Sequence, residues 1–383
     1  MRIVFSGNTS WGMYNFRIAL MVAFKNIGFD VWVVAPEDEY TSKFAEIGIN
    51  FKPVKKLKRS GTNPIADIVL LREYIGIYKQ IKPDFVFHYT IKPNIYGSFA
   101  CKICNIRSIS VTTGLGNAFS NSRFLFIFAK LLYKFSSSYA SEVWFLNASD
   151  LNIFVENKIL KLDKTYLLKG EGIDLELFRP TKAQFEDKPI TFTLISRMLY
   201  DKGVEVFVKA TNLLRAKGYN FSSILLGQID TDNPEGISLS TIKEWQAAGM
   251  IEYMGSTSDV KPYIGDADCI VLPSYYKEGI PRILMEAAAM EKPIITTNNI
   301  GCIETVDNGI NGFLCEMKDE QDLADKMELF LKLTAEQRQE LGKAGREKME
   351  KEFDYKIIIE IYLNKLNHYL NRSFAYKKES FQP

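Results

Sequence analysis

Two carboxylates eight residues apart, Glu278 and Glu286, flank a Gly-Ile-Pro turn within YYKEGIPRILMEAAAM at 275–290. The apolar run CIVL before it reads as a strand, and the apolar spacing after it predicts a helix that stops before Pro293. Pro281 suits the first helical turn, where a missing N–H costs nothing. The N–H groups of Gly279, Ile280 and Arg282 then stand at a helix N-terminus, whose unmatched donors and dipole favour phosphate. Glu278 precedes that terminus and Glu286 lies about one turn inside it, so both can accept hydrogen bonds from hydroxyls beside the phosphate. A second segment, SRMLYDKG at 196–203, closes another strand and carries Arg197 and Lys202. A guanidinium offers a planar fork and an ammonium a point charge, and both suit a diphosphate. Singly, each of these side chains reads equally well as a solvated charge. Jointly, two cations and two carboxylates on one sheet edge mark a site for a phosphorylated, hydroxyl-bearing ligand.

Bringing them to one edge requires a parallel sheet, because open α/β sheets bind ligands at the carboxyl ends of their strands. Short apolar runs bounded by turn residues alternate here with segments of helical period, the pattern of βαβ units. Strands are expected at 3–6, 30–35, 51–53, 85–88, 108–112, 142–145 and 165–168. The series restarts at 191–196, 223–227, 251–254, 269–272, 294–297 and 312–315. The expected fold class is α/β, with two Rossmann-like doubly wound domains. GEGIDLELFRP at 170–180, with two glycines and a proline, reads as the connection between them. The expected divisions are 1–170, 171–355, and 356–383 as a last helix packing back on the first domain, followed by a tail.

A chain of 383 residues, 46% apolar and 25% charged, suits a globular protein with two cores. Its net charge of +2 conceals an asymmetry: residues 1–180 carry 23 Lys/Arg against 15 Asp/Glu, the remainder 25 against 31. A basic first half suggests an anionic partner, phosphorylated lipid or membrane surface. Nucleic acid is disfavoured, since the excess is modest and no RNA or DNA motif is present. Cys101, Cys104, Cys269, Cys302 and Cys315 read as reduced core thiols. CKIC has neither a second CxxC nor a histidine cluster beside it, so no metal site is expected. The opening MRIVFSG reads as a strand and not as a signal peptide. The most apolar segment, 124–135, is broken by Lys130 and short of the roughly 20 residues that span a bilayer. The expected location is cytoplasmic.

SRMLYDKG, the E-x7-E pair of EGIPRILMEA, and GCIETVDNGINGFL at 301–314 together resemble glycosyltransferase family 4. That is a retaining family of the GT-B fold, in which two Rossmann-like domains face each other across a cleft, and the similarity covers nearly the whole chain. The resemblance implies that Arg197 and Lys202 hold the diphosphate of a UDP-sugar donor and, with Glu278, carry catalysis. Glu278 and the turn Gly279, Ile280, Pro281 and Arg282 would meet sugar and phosphate, and Glu286 the ribose. The loop 301–305, with Glu304 and Thr305, would complete the nucleotide side, and Gly7 would approach the donor from the first domain. The reaction implied is transfer of a hexose or N-acetylhexosamine with retained anomeric configuration. Departing UDP builds negative charge, which a preorganised cationic site stabilises without metal or cofactor, and a phosphate oxygen can take the acceptor proton.

Three loops of the first half resemble those of a subgroup that extends bacterial lipid-linked glycans, whose acceptor is a saccharide on undecaprenyl diphosphate. GNTSWGMYNFR at 7–17 offers Asn8, Thr9, Ser10, Trp11, Asn15 and Arg17. HYTIKPNIYG at 88–97 offers His88, Thr90 and Lys92, and VTTGLGNAF at 111–119 offers Gly114 and Gly116. The chain departs from the family at one point. A crevice histidine of an HxH-like pair falls on Tyr89, and His88 beside it faces the other side of its strand, where packing is the expected role. KPVKKLKR at 52–59 and the aromatic, cationic helix RFLFIFAKLLYKF at 123–135 suggest peripheral contact with the inner membrane face. A sugar-nucleotide epimerase of the same shape is a rival, although His88 and His368 are the chain's only histidines to serve as its acid and base. A non-catalytic nucleotide-sugar or glycan-binding protein is another.

Overall fold

Alternation along Ile3, Val4 and Phe5 decides how the first sheet is clothed. Ile3 and Phe5 enter one apolar core and Val4 another, and all three are fully buried. The computed structural model describes residues 1–57, 63–115, 123–180, 188–231, 233–276 and 279–375. Glu278 and Gly116, together with Lys58 and Arg59 of the basic cluster, lie outside the described residues. The chain forms two compact units, Met1–Gly172 with Tyr355–Pro383, and Ile173–Asp354.

The first unit is built on β1 (Arg2–Ser6), β2 (Asp30–Ala35), β3 (Asn50–Pro53), β4 (Phe85–Tyr89), β5 (Arg107–Thr112), β6 (Glu142–Phe145) and β7 (Thr165–Leu167). All pair in parallel, in the order β3-β2-β1-β4-β5-β6-β7. Its helices are α1 (Ser10–Ile27), α2 (Thr41–Glu46), α3 (Pro64–Ile81), α4 (Ser98–Cys104), α5 (Arg123–Tyr139) and α6 (Ala148–Glu156), with the last helix of the chain, Tyr355–Leu370. Local chemistry sets their ends: Thr9 caps α1, Asn63 caps α3 with Pro64 behind it, and left-handed Gly28 closes α1. Phe85, Phe87 and Tyr89 point to the core shared with α1 and the last helix, whereas Val86 points to the core shared with α3, α4 and α5.

The last helix is fastened by a buried carboxylate. Glu142 accepts hydrogen bonds from Lys365 Nζ (2.7 Å), Tyr369 Oη (2.8 Å) and Trp144 Nε1 (2.7 Å). Burial raises its pKa, but these three donors outweigh burial and hold it below the usual carboxylate value. The first unit ends at Gly172 and resumes at Tyr355, so the expected divisions at 170 and 355 shift by one or two residues. Gly172 has φ +79°, and a Cβ there would stand 2.7 Å from Tyr355 Cα, so this close approach needs glycine.

The second unit repeats the plan. Its strands are β8 (Thr191–Ile195), β9 (Ser222–Leu226), β10 (Glu252–Tyr253), β11 (Cys269–Leu272), β12 (Ile294–Thr297) and β13 (Gly312–Cys315), in the order β10-β9-β8-β11-β12-β13. β10, expected over 251–254, shortens to two residues because it pairs only with β9 at the sheet edge. Its helices are α7 (Val204–Ala216), α8 (Leu239–Ala247), α9 (Lys261–Asp266), α10 (Arg282–Ala289), α11 (Glu320–Leu331) and α12 (Ala335–Lys348); the last helix is thus α13. α7 and α11 cover one face, α9 and α10 the other. In each sheet the strand order reverses once, between β1 and β4 and between β8 and β11. Ligands of doubly wound sheets lie outside the carboxyl ends of such a strand pair.

His88, fully buried in β4, accepts or donates at Nε2 to Tyr78 Oη at 2.9 Å and lies against Cys101 and Gly97. It does not reach solvent, so its place among the acceptor-side residues is corrected to packing between β4 and α3/α4. Burial lowers its pKa from 6.5 to about 3. The unfolded chain therefore protonates first, and stability fully present above pH 6.5 is lost as pH falls toward 3. His88→Gln keeps a partner for Tyr78 and removes this proton uptake. Urea unfolding across a pH series is expected to show a flatter loss of stability between pH 6.5 and 4.5, above the range where Glu142 titrates. An unchanged slope contradicts the assignment.

Candidate functional site

At the β8/β11 edge the backbone does the positioning. The N–H groups of Tyr275 and Tyr276 both donate to the Asp201 carbonyl, at 2.9 and 3.0 Å, and Ser274 Oγ approaches it at 3.3 Å. The loop after β8, which carries Arg197 and Lys202, is thereby tied to the loop after β11. Gly203 makes the approach possible. Its φ is +75°, and a Cβ would stand 2.1 Å from the Pro273 carbonyl oxygen. The loop after β12 joins them, since Asn299 Nδ2 donates to the carbonyls of Tyr276 (2.6 Å) and Ser274 (3.3 Å) and Thr297 Oγ1 donates to Ser274.

Within this frame Arg197 is exposed and pairs with Asp230 through Nη1 at 2.9 Å. Lys202 Nζ lies over the Tyr276 ring, 5.1 Å from its centroid, a cation–π arrangement. Gly279 and Ile280 lead into α10, and the Leu284 N–H is bonded to the Pro281 carbonyl at 3.1 Å. Pro281 is the N-cap with ψ 120° and not the first helical residue, so α10 begins one residue later than expected. Glu286 is buried, and its Oε1 accepts from Arg282 Nε at 2.7 Å. Burial pushes its carboxyl pKa up, with Arg282 opposing that rise. Arg282 thus engages the site through its side chain, where only its N–H was anticipated.

After β12, Glu304 is exposed on the 3₁₀ turn Ile303–Thr305. Thr305 is fully buried and its Oγ1 donates to the Cys302 carbonyl at 2.8 Å, so its place among the donor-binding residues is corrected to closing the turn. Asp230 and Asn299 escaped the sequence reading. Their only signal was their place just beyond β9 and β12 at the edge that already held Arg197. Among the described residues no group of three His, Cys, Asp or Glu could hold a metal ion.

Comparison with known proteins gives this edge a chemistry. A family model described as "Glycosyl transferases group 1" matches residues 178–348, and one described as "Glycosyl transferase 4-like" matches 2–147. N,N'-diacetylbacillosaminyl-diphospho-undecaprenol alpha-1,3-N-acetylgalactosaminyltransferase of Campylobacter jejuni is 31% identical over 350 residues, spanning 86% of this chain and 89% of that one. The chain belongs to glycosyltransferase family 4. The capsular polysaccharide biosynthesis glycosyltransferase CapM of Staphylococcus aureus is 26% identical over 80% of this chain and 83% of that one. The crystal structure of Anabaena HepE in complex with UDP matches with a TM-score of 0.78 over 96% of this chain and 100% of that one, at 16% identity. That likeness carries the fold, which is GT-B.

The first unit of this glycosyltransferase places a different set of groups at its β1/β4 edge. Gly7 donates its N–H to the Val34 carbonyl at 3.1 Å, and a Cβ there would collide with Met13 Sδ at 2.3 Å. Thr9 Oγ1 accepts the Gly12 N–H as the cap of α1. Asn8 is half-buried, Trp11 is 47% exposed, and Asn15 Nδ2 is bonded to the Trp11 carbonyl at 2.9 Å. Ser10 is fully buried and its hydroxyl donates to the Pro36 carbonyl at 2.7 Å, which corrects its acceptor-side placement. Arg17, expected on the ligand side, is buried: it pairs with Glu171, donates to the Gly12 carbonyl at 3.1 Å and lies 4.0 Å over the Tyr89 ring. Its charge is spent inside the unit.

Thr90 ends β4 with φ +71°, a conformation that a β-branched residue adopts only under strain. Its buried Oγ1 has no hydrogen-bond partner among the described residues. Lys92 Nζ pairs with the buried carboxylate of Asp67 at 3.2 Å, beside the π-helical turn Pro93–Gly97. Gly114, φ +134°, follows β5 at the same edge.

Gly203→Ala tests the tie between the β8 and β11 loops. Forcing a Cβ against Pro273 at positive φ is expected to cost about 1–3 kcal/mol in urea unfolding. Unaltered stability contradicts the tie.

Proposed function

We propose that this glycosyltransferase moves a hexose or N-acetylhexosamine from a UDP-sugar to a saccharide on undecaprenyl diphosphate, with retention and without a metal ion. The observation that carries the reading is the convergence, at the β8/β11 reversal, of Arg197, Lys202 and the N-terminus of α10. Two cations on tied loops and a helix N-terminus match the charge that builds on the β-phosphate as UDP leaves. Buried Glu286, next to Arg282, suits the ribose hydroxyls, exposed Glu304 suits the nucleotide side, and Glu278 is assigned to the sugar by the family resemblance.

The HepE complex with UDP supports the nucleotide, and the name of the Campylobacter relative supports both the N-acetylhexosamine and the undecaprenyl-diphosphate acceptor. CapM, a capsule-synthesis enzyme by name, supports a place in surface glycan assembly. The acceptor is assigned to the β1/β4 edge of the first unit, with Asn8, Trp11, Asn15, Thr90, Lys92 and Gly114 as its surroundings. A lipid-linked acceptor implies work at the inner face of the cytoplasmic membrane. Because the donor phosphate itself can take the acceptor proton, the reading requires no histidine base.

Arg197→Ala is expected to lower kcat about a hundredfold or more while leaving the unfolding midpoint unchanged, as loss of one transition-state donor does. Transfer is followed by mass detection of the extended lipid-linked saccharide, and wild-type activity should persist in EDTA. Wild-type rates in the variant, or abolition by EDTA, overturn the cationic-site account.

A further inference from the structure

The pair that Arg197 makes with Asp230 depends on a close approach between two loops. Past β9, residues 227–237 run along 196–200: the Met198 N–H donates to the Gln228 carbonyl at 2.9 Å, the Tyr200 N–H to Glu235 at 2.8 Å, and the Ile237 N–H to Met198 at 2.9 Å. Two glycines allow it. A Cβ at Gly227, φ +151°, would stand 1.6 Å from the Ser196 carbonyl oxygen, and one at Gly236 would stand 2.2 Å from the Asp230 carbonyl oxygen. The lacing buries Met198, Leu199 and Ile237, whereas Arg197 beside them stays exposed. The Asp230 carboxylate thereby reaches Arg197 Nη1 at 2.9 Å, the two side chains being 29% and 43% exposed.

An ion pair so open to water adds little stability, so stability does not account for it. Orientation does. Among the described residues the guanidinium makes this one hydrogen bond, through Nη1. Its Nε–Nη2 edge, the fork of parallel N–H groups that matches two phosphate oxygens, is left unused. A free arginine side chain loses rotamer entropy when a ligand orders it. Asp230 orders it beforehand, by the nitrogen that the fork does not use. The same carboxylate carries a charge that repels a diphosphate, which makes it a poor aid to ground-state binding. What it improves is the alignment of Arg197 with the charge that builds on the leaving phosphate.

We propose that Asp230 is a positioning residue for sugar transfer, holding Arg197 through Nη1 so that the Nε–Nη2 edge meets the departing diphosphate. The inference rests on the reading of Arg197 as the group that stabilises that diphosphate. It adds a residue after β9 that acts without touching the substrate. A carboxylate that instead competed with the ligand for Arg197 would slow the enzyme, and its removal would raise the rate.

The test is a kinetic cycle on the full chain, with transfer followed by mass on the lipid-linked saccharide and the donor being the UDP-hexose or UDP-N-acetylhexosamine that the wild-type protein turns over. Asp230→Ala is expected to lower kcat about tenfold, to keep KM for the donor within about twofold and to leave the thermal unfolding midpoint unchanged. Asp230→Asn keeps an oxygen acceptor for Nη1 and should restore kcat to within about threefold of wild type. With Arg197→Ala already in place, Asp230→Ala should cost nothing more, because the carboxylate acts only through that arginine. A wild-type or raised kcat in Asp230→Ala overturns the positioning role, as does a rise in KM alone. A further loss of about tenfold in the double variant overturns the route through Arg197. Wild-type transfer by Arg197→Ala sinks the cationic-site reading itself, whereas a loss of about a hundredfold there with none in Asp230→Ala sinks this inference alone.

Discussion

One carbonyl oxygen, that of Asp201, receives the N–H groups of both Tyr275 and Tyr276, and the rest of the β8/β11 edge depends on that junction. β8 and β11 are neighbours in the sheet, but their loops leave in opposite directions round the order reversal, so adjacency alone does not hold them together. The shared carbonyl, Gly203 against Pro273, and Asn299 reaching across from β12 convert three loops into one rigid rim. Arg197 and Lys202 are long and flexible, and each fixed rotamer costs entropy. A rim that predetermines where their backbones stand would leave only the side chains to settle on the proposed diphosphate. Such preorganisation is what makes electrostatic catalysis effective.

The electrostatics of the two edges differ in kind. At the β8/β11 edge Arg197 is paired with Asp230 at the surface, and half-buried Lys202 rests on Tyr276. At the β1/β4 edge the arginine that looked available, Arg17, is folded into the unit against Glu171 and Tyr89. Among the described residues that edge also holds half-buried Lys92 and a strained threonine whose hydroxyl has no partner.

The sheets were legible because parallel strands buried on both faces leave unmistakable apolar runs, and a run such as Cys269–Leu272 has no other home. Edge strand β10 was read too long, since one-sided pairing lets a strand end early. At the β8/β11 edge, position after a strand singled out Arg197 and Lys202, and spacing after the Gly-Ile-Pro turn singled out Glu286, because both patterns are visible in one dimension. Partners were not visible. Ser10, Arg17, His88 and Thr305 sit in the same kinds of loop, and only three-dimensional packing shows their polar atoms committed to Pro36, Glu171, Tyr78 and Cys302. Asp230 and Asn299 were missed for the converse reason, as their roles arise from contacts more than 20 residues distant.

The central claim is that a nucleoside diphosphate is gripped at the β8/β11 edge by groups on three tied loops. A crystal structure of the protein with UDP tests it most directly. The account predicts diphosphate oxygens within hydrogen-bond distance of Arg197, Lys202 and the backbone N–H groups entering α10, with the ribose beside Glu286. UDP bound elsewhere on the second unit, or at this edge with Arg197 still held by Asp230 and remote from the phosphates, would contradict it.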